Sequence, residues 1–97
     1  MKTYYVYILE CSDKSYYTGV TNNLEVRVNQ HNAGENTSSY VYSRRPVKLV
    51  WSTHFNSIEN AIALEKKIKG WSRAKKEALI TGNFEALKVL AKKKFIK

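Results

Sequence analysis

A chain of 97 residues with 43% apolar side chains, seven Tyr and a single Pro can bury one modest hydrophobic core, which excludes a disordered tail and a large multidomain enzyme. The longest apolar stretch, Tyr4 to Leu9, is too short to span a bilayer, no secretory leader pattern precedes it, and the lone Cys11 can form neither an intrachain disulfide nor a cysteine zinc site. The expectation is therefore a single cytoplasmic domain over residues 1–97, with Cys11 a half-buried small apolar residue. Charge narrows the partner: 17 Lys+Arg stand against 8 Asp+Glu, a net charge of +9, and from Leu64 to Lys97 eleven basic residues face three acidic ones. Such a lopsided field suits a polyanion, nucleic acid first, although a solvated lysine surface would look the same in composition.

In chain order, Thr3 to Glu10 is aromatic and β-branched and apolar at both parities, which predicts a strand covered on both faces. Ser12-Asp13-Lys14 is turn material, and Ser15 to Val20 reads as the returning strand of a hairpin. Thr21-Asn22-Asn23 offers N-cap chemistry for a helix running to about His31 or Asn32 and closed by Ala33-Gly34. Glu35 to Arg45 is polar and predicts an exposed loop, and Val47 to Phe55 a third strand. Asn56-Ser57 opens a second helix to about Lys69, with Gly70 as its cap, and Ser72 opens a third to about Thr81. Phe84, Leu87, Leu90 and Ala91 keep helical spacing for a last, basic helix. The predicted class is α/β, in a layered α+β sense: a small three-stranded antiparallel sheet flanked by helices in the order ββαβααα, with a core over residues 3–83 and a basic helix over 84–97.

Three groups of residues could carry chemistry. On a helix advancing about 100° per residue, Ile58, Ala61, Ile62 and Ile68 share one face and Glu65 falls within it. A carboxylate on a docking face needs a partner or a cation. Lys69, four residues on, is one candidate and a hard divalent metal the other. Arg27 and His31 are also four apart and emerge together at the flank of the Leu24/Val28 stripe, where a planar guanidinium could grip phosphate and an imidazole could handle a proton near neutral pH. Tyr4, Tyr5, Tyr7, Tyr16 and Tyr17 crowd the hairpin. Most must be scaffold, but a phenol beside a cation can act in proton transfer.

In order and spacing, Tyr5-Val6-Tyr7, then Tyr17-Thr18-Gly19 with Tyr17 ten positions after Tyr7, then Arg27, His31 and Leu64-Glu65-x-x-Ile68-Lys69, the chain resembles the GIY-YIG family of nucleases, in particular its small stand-alone bacterial members. The likeness runs from about Thr3 to Lys69 and extends toward Asn83. It implies that Tyr7 and Tyr17 face the active site, that Arg27 contacts the scissile phosphate, that Glu65 holds one Mg²⁺ or Mn²⁺, and that His31 stands at a position often His or Tyr. Asn83 matches a late family Asn, and it would equally serve as an N-cap for the helix from Phe84. Tyr5 and Thr18 depart from the tripeptides, and Val20 stands where some members place a Lys, which removes a cation that would lower a tyrosine pKa. The implied activity is metal-dependent cleavage of DNA phosphodiesters, as in repair or recombination, with DNA ahead of RNA as partner. A nucleic-acid-binding module on the same scaffold is the alternative. Arg44, Arg45, Lys69, Arg73, Lys75 and Lys76 are the expected nucleic-acid contacts. One geometric demand follows: Tyr7 and Tyr17 share a sheet face only if the hairpin loop is odd in length, as Ser12-Asp13-Lys14 would be, or carries a bulge.

Overall fold

The computed structural model describes residues 2–83 and Glu85. Within them lie β1 (Tyr4–Glu10), β2 (Tyr16–Thr21), α1 (Leu24–Ala33), a 3₁₀ turn (Tyr42–Arg44), β3 (Lys48–Phe55), α2 (Ile58–Lys69) and α3 (Arg73–Thr81). The sheet is antiparallel throughout, with strand order β2-β1-β3. This is the expected α+β class and order. The expected helix from Phe84 onward lies outside the described residues, apart from Glu85. No helix among the described residues is long and apolar enough to cross a membrane.

The central position of β1 explains its unbroken apolar run. Val6, Tyr7, Ile8 and Leu9 have no exposed surface, because successive side chains point to opposite faces and both faces are covered. On one face Tyr7, Leu9 and Cys11 pack with Val41 and Val47, joined by Tyr17 and by Leu24 and Val28 of α1. On the other, Val6 and Ile8 meet Ala61 and Ile68 of α2, with Leu79 and Ile80 of α3 and Trp71 between them. β3 feeds this second core with two adjacent apolar residues. Its register slips between Ile8 and Leu9, and the bulge lets Val50 and Trp51 both pack on the α2 side.

The hairpin meets the odd-loop demand. Cys11 N–H donates to Ser15 O and Lys14 N–H to Cys11 O, so Ser12-Asp13-Lys14 forms a three-residue loop. Lys14 takes the left-handed position of that loop, with φ 71°. The resulting register sets Tyr7 opposite Gly19 and Leu9 opposite Tyr17, which places Tyr7 and Tyr17 on one face.

Caps fall where the polar residues predict them. Asn23, Ser57 and Ser72 side chains accept from Val26, Asn60 and Lys75 N–H. Gly34 closes α1 in the left-handed conformation and donates to His31 O and Gln30 O. On α2 the expected docking face is narrower than its apolar residues suggest: Ala61 and Ile68 are buried, whereas Ile62 is 39% exposed.

One buried group in this scaffold stands without a partner. Thr18, on β2, faces the α2 side with 3% exposure, and its hydroxyl finds no hydrogen-bond partner among the described residues. An unsatisfied buried hydroxyl costs about 1–3 kcal/mol, and valine has nearly the same shape without that cost. Thr18→Val should therefore raise stability by about 1 kcal/mol and the thermal midpoint by about 4–8 °C. Calorimetry checks it, and a lowered midpoint would contradict the unpaired hydroxyl.

Candidate active site

The face of the sheet under α1 gathers the residues singled out by their spacing. Tyr7 rises from the central strand, Tyr17 from the edge strand, and Arg27 and His31 descend from one side of α1. The Tyr7 hydroxyl lies 3.1 Å from His31 Nε2. The Tyr7 and Tyr17 ring centroids are 6.4 Å apart, and His31 stands edge-on to Tyr17 at 5.3 Å. Beside them opens a groove of about 470 Å³ lined by Tyr17, Arg27, Gln30, His31, Glu35, Asn36, Ser39 and Val41.

Gly19 is the reason Tyr7 can reach this place. A Cβ at position 19 would overlap the Tyr7 Oη and Cζ, so the phenol lies directly across the edge strand where that strand has no side chain. The glycine serves here by close approach, since its φ is not in the left-handed region. Tyr7 thereby extends toward the edge that α2 also packs against, and Glu65 of α2 enters its electrostatic surroundings.

These surroundings sort the groups by protonation state. Burial pushes the Tyr7 phenol up to about 12, with Tyr17 adding to the rise and the Arg27 guanidinium opposing it. Tyr7 keeps its proton at neutral pH. The protonated Tyr7 O–H therefore donates to His31 Nε2. That assignment agrees with His31, whose imidazole is held below its ordinary value first by burial and then by Arg27, and which is therefore neutral with a lone pair to offer.

Glu65 is covered, its side chain only 13% exposed, and pairs with Lys69 Nζ at 2.5 Å. The i,i+4 ion pair that the helical spacing allowed is thus present. This contact holds the Lys69 ammonium above its ordinary pKa, and Tyr17 adds to the rise. No group of three or more His, Cys, Asp or Glu side chains suited to a metal exists among the described residues. A single covered carboxylate remains compatible with Mg²⁺, which is commonly held by one or two carboxylates while keeping waters and substrate phosphate oxygens.

The expected nucleic-acid contacts are placed unevenly. Arg44 sits 3.9 Å over the Tyr40 ring, pairs with Asp13 at 3.1 Å and donates to Tyr40 O. Arg45 lies over Tyr42 and donates to the carbonyls of Tyr42 and Asn32. Arg73 lies over Tyr16, pairs with Glu77 and donates to Lys14 O. Lys75 is buried, its ammonium 4.2 Å from the Trp71 ring, and partial burial lowers the Lys76 pKa. Asn83 is exposed, and its N–H closes α3 on Ala78 O. Tyr40, which stacks on Tyr17 at 6.2 Å and 19°, was not singled out in the sequence. It lies in a polar loop with no periodicity to mark it, and its only local signal is the Arg44 four residues later.

Two outcomes test this geometry. Gly19→Ala should destabilise the fold by about 1–3 kcal/mol through overpacking against the Tyr7 ring, read by chemical denaturation; an unchanged midpoint would remove Tyr7 from its place over Gly19. For His31, the folded pKa is depressed below 6.5, so the unfolded chain binds more protons between the two values. Its contribution to stability is present above that window and lost as pH falls through 6.5 and then the folded value. NMR titration should place the His31 midpoint below 6.5 and show Arg27→Gln raising it, whereas a midpoint unmoved by that substitution would break the proposed proximity.

Residues 3–78 match the GIY-YIG catalytic domain, a span that takes in Tyr7, Tyr17, Arg27, His31 and Glu65 and ends before Asn83. A UPF0213 protein of Syntrophus aciditrophicus is 48% identical over 87 residues, covering 90% of this chain and all of that protein, and one of Natronomonas pharaonis is 48% identical over 79% of this chain and 89% of its own length. Among solved structures, the UPF0213 protein BH0048 from Bacillus halodurans is similar with TM-score 0.54 and 42% identity, over 81% of this chain and 83% of that one. The protein EF2693 from E. faecalis is similar with TM-score 0.60 and 30% identity, over 87% and 88%. The chain belongs to the GIY-YIG catalytic domain family, within the nuclease superfamily.

Proposed function

We propose that this protein is a divalent-metal-dependent endonuclease of the cytoplasm that hydrolyses DNA phosphodiesters, in repair or recombination. The observation that carries this reading is the convergence of Tyr17, Arg27 and His31 on one groove, with buried Tyr7 bonded to His31 behind it and Glu65 in the electrostatic surroundings of Tyr7. Glu65 would hold the cation, Mg²⁺ or Mn²⁺, whose chemistry is to neutralise phosphate and leaving-group oxygens. Arg27 stabilises the negative charge that develops at phosphorus through a planar donor fork. Tyr7 retains its proton and, through its hydrogen bond to Nε2, positions the His31 imidazole beside the groove. Tyr17 faces the groove and, as phenolate, accepts the proton of the attacking water, aided by His31, which packs edge-on against its ring. The surface Arg and Lys residues add a sequence-independent attraction to the phosphate backbone. Asn83 and the six cations around the sheet edge and α3 support this reading less directly than the groove does.

A second reading has its own support. Lys69 already neutralises Glu65, as it would in a nucleic-acid-binding module that had no use for a metal. Cleavage separates the two. With labelled single-stranded, duplex, nicked and branched DNA and matching RNA, the protein should cut DNA only with Mg²⁺ or Mn²⁺. Glu65→Gln should lose about a hundredfold or more in rate while binding stays within about twofold. Binding without metal-dependent cutting of any substrate would overturn the nuclease reading and leave the binding module.

A further inference from the structure

The four ion pairs among the described residues are not alike. Asp13 in the Arg44 pair and Glu77 in the Arg73 pair are each 48% exposed at the side chain, and Glu10 in the Lys48 pair is 21% exposed. Glu65 is the most covered acid of the set at 13%, and its partner Lys69 is 55% exposed. A largely desolvated carboxylate requires a counter-charge to remain ionised and fixed. An ammonium on a flexible four-carbon stem, more than half in water, can be withdrawn with little repacking of its surroundings. Position 20, where a lysine would bring a cation from β2, is Val20, packed with the apolar cluster under α2. The cation beside the candidate site is supplied instead from α2 itself.

We propose that Lys69 is a positioning residue for Glu65: its ammonium holds the carboxylate as a stand-in counter-ion and yields that place when a divalent cation binds. This rests on the reading of Glu65 as the metal-holding group. The ammonium and a divalent ion repel each other and compete for the same carboxylate oxygens, so the resting pair weakens metal binding by the free protein. Once displaced, Lys69 remains on the exposed side of α2 as an unpaired cation near Tyr17, where a substrate phosphate would receive it. Metal and phosphate then favour each other's binding, because each relieves the charge left by the exchange.

The test measures Mn²⁺ binding by electron paramagnetic resonance in the absence of nucleic acid, for the unaltered protein, Lys69→Met, Lys69→Gln, Lys69→Arg and Glu65→Gln. Circular dichroism confirms the fold of each. Lys69→Met and Lys69→Gln should bind Mn²⁺ about threefold to tenfold more tightly than the unaltered protein, Lys69→Arg should bind as the unaltered protein does, and Glu65→Gln should lose the site. Binding that depends on Glu65 but is equal or weaker in both neutral Lys69 variants overturns the stand-in role and leaves the metal reading intact. Absence of Glu65-dependent binding in the unaltered protein and in both neutral variants overturns the metal reading together with this one.

Discussion

A phenol with no exposed surface, set on the middle strand of a three-stranded sheet, constrains the rest of this molecule. Tyr7 is wholly buried, yet its hydroxyl cannot be left unpaired without a penalty of about 1–3 kcal/mol. Its partner is His31 at 3.1 Å, which ties α1 to one position along the sheet. Its ring crosses Gly19, so the edge strand must be bare at the point opposite. Its face of the sheet must also carry Tyr17, so the hairpin must turn through an odd number of residues, and Lys14 adopts a positive φ to allow it. Each requirement is met by a different part of the chain: α1, the edge strand and the hairpin loop.

The same burial sets the chemistry. Removing water from the phenol raises its pKa to about 12, and removing water from the imidazole while placing Arg27 beside it depresses His31. Desolvation therefore acts in the same sense on both groups, favouring the neutral phenol and the neutral imidazole. The two neutral forms are complementary, one with a proton to donate and one with a lone pair to accept it. Arg27 keeps its charge and supplies the fixed positive end of the arrangement. A neutral donor and acceptor held beside a permanent cation suit an anionic phosphate better than a cluster of titrating charges, because little reorganisation is required when negative charge develops.

Legibility in the sequence followed the distance over which each relation acts. The Glu65–Lys69 and Arg27/His31 relations are four residues long and were visible on a helical projection. The Tyr7–Tyr17 relation depends on the parity of one loop, and could be posed as a condition before the structure answered it. The electrostatic influence of Glu65 on Tyr7 was not readable from spacing, because α2 packs on the opposite face of the sheet. The β3 bulge was equally hidden, since Val50-Trp51 reads as ordinary strand whether or not the register slips. Tyr40 reaches Tyr17 from a loop whose path has no period. The cations misled in a simpler way: counting charge treats each as free, whereas Arg73–Glu77 and Trp71–Lys75 are both i,i+4 pairs that satisfy their cations locally.

That local satisfaction changes how the net charge of +9 should be understood. Short of contact but within the Debye length, about 8 Å at physiological salt, a polyanion does not distinguish a guanidinium stacked on tyrosine from one extended in water. Cation–π stacking and donation to a carbonyl leave the charge in place, so Arg45 contributes to attraction as fully as a free residue. At contact distance the difference is large. Arg44, Arg45 and Arg73 are each held by a ring and by carbonyl acceptors, so they lose less side-chain entropy on meeting a phosphate than a mobile lysine would, but offer fewer unused N–H donors. Exposed Lys66 and Lys67 of α2 have the opposite balance. Attraction before contact is thus a property of the whole chain, while orientation at short range falls to Arg27, the guanidinium that lines the groove.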